Sequence, residues 1–396
     1  MKKTRTVRIA AAATLVSATL VGALITVSAG PSAYAGQHGA GGPVSTADRL
    51  RAAVGDLHNL GITGVQGLTR VGNQTTTARS GVANLDTTSP VPANGYFRMG
   101  SNTKTFVAVT LLQLVGEKRL SLEDPVQRWL PGVVSGNGND GSKITVRQLL
   151  QHTSGIPEYL DDVALTQSAK EFRAHRFDHY DVKALVALAM KHPPLFAPGT
   201  SWSYSNTNYA LAGMIISKIT GHSWTEEVRT RILAPLNMRQ TYFPGNNPTI
   251  RDPHAEGYNQ FEADGPLVNR TKFNPTVADA AGALVSTPSD LARFWQALQG
   301  GRLLAPTQMA QMHQTVPAPD IAAVLPGAQY GLGIMRIDDS CGVYWAHPGD
   351  TPGSATFNGA SPDGKRVTVL SLTTQLANPL PVYSRANQLM DETLCP

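Results

Sequence analysis

Apolar residues recur at helical spacing from Phe106 through Val107, Val109, Leu111, Leu112, Leu114 and Val115, and again from Tyr209 through Leu211, Met214, Ile215 and Ile216. Positions three and four apart share a helix face, so these runs predict helices over about 101–118 and 205–220. Shorter helices are expected over about 46–60, 145–151, 182–191, 224–233 and 381–393, with a loop rich in Pro, Gly and His at 192–200. Elsewhere the pattern is β-like. GITGVQGLTRV and TTTARSGVA follow the first helix; YGLGIMRI, GVYWAH, SATFNGAS and RVTVLSLTT fill the C-terminal quarter, divided by turn signals such as Pro362-Asp363-Gly364. Strands at both ends of a helical middle predict an α+β domain, with an antiparallel sheet built from both termini, flanking helices and an all-helical subdomain. The α/β part is expected over about 46–120 and 280–396, and the helical part over about 121–279. The join between two such parts is a natural cleft.

The chain begins with a different rhythm. Lys2, Lys3, Arg5 and Arg8 precede a long apolar stretch, and Ala33-Tyr34-Ala35 presents small residues where a signal peptidase reads. Residues 1–35 are therefore expected to be a secretory signal peptide, followed by a Gly-rich linker at 36–45, which makes the protein secreted. A membrane anchor is the competing reading. The stretch is mostly Ala, Thr, Ser and Gly, and no basic stop-transfer cluster follows it, which favours export. Without the leader the chain carries 29 Lys and Arg against 28 Asp and Glu, so the pI near 9.2 belongs largely to the leader. Nothing in that balance suggests a nucleic acid or an anionic membrane as partner. In an oxidising compartment the only two cysteines, Cys341 and Cys395, are expected to pair; two free buried thiols are the alternative.

Three short stretches carry candidate chemistry. In FRMGSNTKTF, Ser101 and Lys104 stand three apart where a helix begins, so their side chains stack a turn apart. A serine hydroxyl needs a base to become a nucleophile, and a lysine serves as one only when desolvation lowers its pKa. The helix N-terminus would add a positive field at Ser101. Alone, S-x-x-K is weak, and an ordinary helix start with a surface lysine would look the same. In LFAPGTSWSYSNTNY, Tyr204 beside a desolvated cation could move towards phenolate and carry a proton, and Asn206 could offer its amide to a substrate carbonyl. In His347-Pro348-Gly349-Asp350 the glycine lets another backbone approach closely, and the N–H groups of Ser101 and Asp350 could form an oxyanion hole.

S-x-x-K, Y-x-N and H-x-G in this order resemble the three-motif signature of the serine penicillin-recognising enzymes. ITVRQLLQHTSGIPEY, YSNTNYALAGMIISKITGHSW and AAGALVSTPSDLARF extend the likeness from about residue 46 to the end. The chain looks most like secreted D-alanyl-D-alanine carboxypeptidases and class C β-lactamase-like hydrolases, whose β-lactamase/transpeptidase-like fold agrees with the layers expected above. The resemblance implies Ser101 as the acylated nucleophile, and Lys104 and Tyr204 sharing general-base and general-acid duty. It implies Asn206 holding the acyl-side amide, Gly349 and Asp350 binding substrate, and His347 supporting the proton traffic of Tyr204. It implies no cofactor and no metal, a monomer, a small peptide or peptidoglycan-derived substrate, and β-lactams as acylating inhibitors.

The third motif departs from the carboxypeptidases, which usually flank its glycine with hydroxyl residues that hold a D-alanine carboxylate. Here Pro348 has neither hydroxyl nor N–H, and Asp350 puts a negative charge where that carboxylate would sit. Like charges that close would weaken binding several-fold to roughly a hundredfold. An upstream arginine is also missing, with Met335 at about its position and Arg336 beside it. Carboxylate recognition is thus expected to be weakened or rerouted through Thr351, Arg336 or a loop lysine. That would favour an ester, an amide or a D-amino-acid peptide with a free amine. A β-lactamase or esterase is the runner-up within the same mechanism. A muropeptide-binding module would be expected to lack Ser101 or Lys104, yet both stand. His175 and His179 share a zinc-ligand spacing without a third ligand, and no G-x-S-x-G elbow occurs.

Overall fold

The computed structural model describes residues 44–395; the expected signal peptide and all but the last two residues of the expected linker lie outside the described residues. Helix α1 (Thr46–Asn59) opens on Ser45, whose hydroxyl accepts from the Asp48 N–H. Strands β1 (Gly64–Val71) and β2 (Gln74–Gly81) follow as a hairpin. Helix α2 (Asn102–Gly116) and helix α3 (Asn206–Thr220) occupy the middle of the chain, and α4 (Pro288–Gln299) leads back to the sheet. The sheet then gains β3 (Met335–Asp339), β4 (Gly342–Ala346), β5 (Gly349–Thr351), β6 (Ser354–Ala360) and β7 (Arg366–Leu372), before α5 (Leu380–Leu394).

The strand order is β2-β1-β7-β6-β4-β3, continued by Gln329–Tyr330 and Val316–Pro317, with every pair antiparallel. The sheet is therefore built from both ends of the chain. Its period-two pattern sorts side chains between two cores. Leu68, Val367 and Val369 face α2 and α4, while Val65, Leu370 and Leu372 face α1 and α5. The register keeps these sets apart by pairing Leu68 with Val369 and Val65 with Leu372. Helix α2 is buried almost throughout, from Asn102 to Leu112, between the sheet layer and the helices of the middle segment. A helix buried on all sides is a central one, and its buried polar residues Asn102, Thr103, Lys104, Thr105 and Thr110 must then find partners inside the fold. Cys341 and Cys395 are joined, tying the end of α5 to the turn before β4.

Two expectations need correction. YGLGIMRI is not one strand: Tyr330 pairs with Met335 across a turn, and Gly333 at φ +72° supplies the left-handed residue that turn needs. A Cβ there would also meet the Ala108 side chain at 2.6 Å. The middle segment is not all helical either. Tyr258–Gln260 and Leu267–Asn269 form a hairpin, and Thr374–Gln375, just beyond β7, adds to it in parallel. That small sheet overhangs β5 and walls one side of the cleft.

Candidate active site

Ser101 is the N-cap of α2, yet its side chain caps nothing. A capping serine normally accepts from a backbone N–H two or three residues on; here the hydroxyl is left for Lys104, whose Nζ lies 3.0 Å away. Lys104 is completely buried. Its other partners are Asn206 Oδ1 at 2.6 Å and the Ala281 carbonyl at 2.8 Å, both able only to accept. A neutral amine would give its two hydrogens to those oxygens and aim its lone pair at Ser101. Burial pushes the Lys104 pKa down to about 7, against the opposing pull of Glu158. The uncharged base is therefore present near neutrality.

The Tyr204 ring packs under this amine, with Nζ 4.7 Å from its centroid. Its hydroxyl meets Ser101, but burial raises its pKa well above the ordinary value. Tyr204 is a neutral phenol rather than the near-phenolate expected from the sequence, because desolvation outweighs the hydrogen bond from Ser101 that would favour its charge. Asn206 is the first residue of α3. Its Oδ1 serves Lys104, and its Nδ2 donates to Glu158 Oε2 at 2.9 Å, which leaves one N–H for a substrate. Glu158, unnoticed in the sequence, also accepts from the Asn206 backbone N–H at 2.6 Å and from the Leu160 N–H at 2.9 Å. A carboxylate can only accept, so Glu158 fixes which way the Asn206 amide points.

His347 follows directly on β4 and is buried, and desolvation lowers its pKa to about 3. Its Nδ1 lies 2.7 Å from the Pro348 carbonyl, so that nitrogen carries the proton and Nε2 accepts from the Tyr330 hydroxyl at 2.8 Å. The partner of His347 is thus Tyr330, not Tyr204 as expected; the Tyr204 and His347 rings are 6.5 Å apart. Gly349 follows where β5 crosses the nucleophile. A Cβ there would sit 2.1 Å from the Met99 carbonyl and 3.0 Å from the Ser101 N. A Cβ on Gly100 would likewise sit 2.8 Å from the Asp350 N, so both peptide nitrogens converge beside Ser101.

Ser101, Tyr204, Asn206, His347 and Asp350 line one cleft of about 990 Å³. Asp350 is exposed to it. The surrounding walls nevertheless disfavour its charge and push its carboxyl up to about 6, against weak hydrogen bonds from Gln375 and Tyr383. The Tyr383 hydroxyl donates to its Oδ1 at 3.4 Å. Arg336 does not compensate it: that guanidinium pairs with Asp338 at 2.8 Å. Thr351 lines the cleft, and its hydroxyl bonds Ser354. Away from the cleft, His175 and His179 do not converge; the first bonds Asp178 and the second Asn246. His152 sits at φ 61° after a helix and accepts from the Ser205 N–H, so it braces the turn that presents Tyr204.

Similarity to known proteins agrees with this geometry. The family described as Beta-lactamase matches residues 47–392. The chain is 40% identical to a D-stereospecific amidohydrolase from Streptomyces sp., with a TM-score of 0.76 over 83% of this chain and 93% of that one. A D-amino acid amidase from Ochrobactrum anthropi SV3, solved with D-phenylalanine, is 26% identical, with a TM-score of 0.76 over 88% of this chain and 99% of that one. Penicillin-binding protein 4* of Bacillus subtilis (strain 168) is 28% identical over 70% of this chain and 60% of its own length. Protein flp of Staphylococcus aureus (strain MRSA252) is 31% identical over 50% of this chain, which spans only 37% of that relative. With the Ser101 hydroxyl, a buried amine and a phenol gathered at one cleft, the chain belongs to the β-lactamase family of serine hydrolases.

Proposed function

We propose that this protein is an acyl-serine amidohydrolase acting on small amides or peptides of D-amino acids whose leaving group bears no carboxylate. The observation that carries this is Asp350, an uncompensated acid open to the cleft on the strand that crosses Ser101. The similarity to a D-stereospecific amidohydrolase and a D-amino acid amidase supports it. In the proposed cycle Lys104 takes the Ser101 proton as Oγ attacks the amide carbonyl. The N–H groups of Ser101 and Asp350 hold the developing oxyanion, an arrangement worth about 3 kcal/mol per donor. The Tyr204 phenol relays a proton to the departing nitrogen, the amine leaves, and water resolves the acyl-serine ester by the same steps in reverse.

The D-alanyl-D-alanine carboxypeptidase reading of the sequence shares this acylation chemistry and differs in the third motif, at Pro348 and above all at Asp350. A free carboxylate on the leaving residue would meet that acid, and Arg336 is engaged by Asp338 instead of offsetting it. Penicillins carry a carboxylate on the same side of their scissile amide, so β-lactams are expected to acylate Ser101 slowly. Export, and with it an extracellular substrate, completes the proposal and rests on the leader sequence. The test is a side-by-side kcat/KM for a D-Ala-D-Ala peptide and its C-terminal amide. The amide should be favoured about tenfold or more; preference for the free acid would overturn the assignment.

A further inference from the structure

Arg270 is 5% exposed and lines the cleft, in the segment that follows the overhanging hairpin. Its guanidinium lies over the Phe172 ring at 4.3 Å and the Phe261 ring at 5.1 Å, so aromatic surface covers its faces and leaves the edge for hydrogen bonds. The edge offers five N–H groups. Two find acceptors, Asn259 Oδ1 at 3.3 Å and the Leu165 carbonyl at 3.1 Å, while the buried Nε has none. No carboxylate among the described residues pairs with it. Glu171, on the same wall, faces His175 at 3.5 Å instead. Desolvation without a compensating acid lowers its pKa to about 10, which still leaves it charged. A buried guanidinium with aromatic faces, free edge donors and no counter-ion is suited to receive a carboxylate edge-on.

Its place relative to Ser101 gives the direction. Asn259, the acceptor for Arg270 Nη1, also receives the Gly353 N–H at 2.9 Å, just beyond β5. Strand β5 pairs with β6 on one edge only. Its other edge borders the cleft, where His347, Asp350 and Thr351 are lining residues. The main sheet is antiparallel throughout. A substrate strand laid antiparallel on that edge, with its scissile carbonyl at the Asp350 N, would extend its acyl side past Thr351 towards Gly353. Four residues of strand cover about 13 Å.

We propose that Arg270 forms a distal subsite for a carboxylate on the acyl side of the substrate, about two to four residues from the scissile amide. The proposal rests on the amidohydrolase reading above and extends it from single D-amino-acid amides to short acidic peptides ending in a D-residue amide. Asp350 would reject a carboxylate on the leaving side while Arg270 attracts one at the far acyl end.

The test uses one peptide series ending in a D-residue amide, two to four residues long, capped at its N-terminus with either succinyl or acetyl. In the wild-type protein at low salt, kcat/KM should favour the succinyl peptide of matching length by about tenfold, and 1 M salt should reduce that ratio several-fold. Arg270→Gln should bring the ratio to about one, whatever loss both substrates share. A wild-type ratio of one or less at every length overturns the subsite, as does a ratio that survives in Arg270→Gln. Calorimetric binding of the two caps to Ser101→Ala reads the same preference without turnover. Tighter succinyl binding with no hydrolysis of any amide would sink the amidohydrolase reading and keep the subsite; hydrolysis with equal binding would do the reverse.

Discussion

The two walls of the cleft are built on opposite principles. On the helical wall, Lys104, Asn206 and Glu158 form a closed chain in which Lys104 meets three oxygens and Glu158 accepts three N–H groups. On the strand wall, Asp350 has a long hydrogen bond from Tyr383 and no ion pair with any cation among the described residues. The first wall must place a proton within a few tenths of an ångström, and preorganised, water-free hydrogen bonds do that. In the proposed reaction the second wall is the one that discriminates, through a charge left without a close internal partner.

Breaking the helical wall gives the largest effects. Ser101→Ala is expected to lower kcat/KM by at least a thousandfold, and Lys104→Met by a comparable factor, without additivity in the double variant. Loss of the mass adduct formed with a labelled β-lactam checks the first directly. Glu158→Gln tests how the wall is held rather than what reacts. It offers an amide where only an acceptor stood, so Asn206 is free to turn over and withdraw its oxygen from Lys104. A fall in kcat of roughly ten- to a hundredfold is expected. The negative charge of Glu158 also raises the Lys104 pKa. Its removal should therefore move the acid limb of the pH–rate profile to lower pH, and an unmoved limb would show that the two groups are not coupled.

The same contrast explains what was legible in the sequence. Ser101 and Lys104 are neighbours on one helix, so spacing alone brings them together. The sheet from both termini followed from alternating runs at the chain ends, because each of those strands has a one-sided or two-sided apolar pattern. Glu158 carried no such signal: it is one acid in a loop, and it meets Asn206 across 48 residues. The Ala281 oxygen on Lys104 is a backbone group 177 residues away, which no side-chain pattern encodes. Tyr330 looked like part of a continuous strand, and only the turn at Gly333 delivers it to His347. The phenolate expected of Tyr204 failed on burial, since desolvation of the hydroxyl, with acids and phenols nearby, raises its pKa. Asp350 was legible as an oddity in a motif, and it is where the strand wall departs from the carboxypeptidases.

The pH dependence separates the walls. Lys104 is lowered to about 7 in the fold against 10.5 unfolded. Between those values the unfolded chain binds the extra proton, so this group makes stability rise with pH from about 7 to 10.5, while acylation turns on through about 7. Asp350 is raised to about 6 against 3.8, and here the folded chain holds the extra proton, so its contribution to stability falls as pH rises from about 3.8 to 6.

The smallest expected effect is also the most specific to this chain. Below about pH 6 Asp350 becomes neutral and its repulsion of a leaving-group carboxylate disappears. Absolute rates fall there because Lys104 is protonated, but that loss is common to every substrate. The ratio of kcat/KM for a D-Ala-D-Ala peptide to that for its C-terminal amide cancels it. The ratio should climb several-fold as pH drops from 7.5 to 5, and Asp350→Asn should hold it at the higher, low-pH level throughout. Competition kinetics with both substrates in one vessel measure it directly. A flat ratio in the wild-type protein would mean that Asp350 does not sense the leaving group, and the strand wall would then have to select by shape alone.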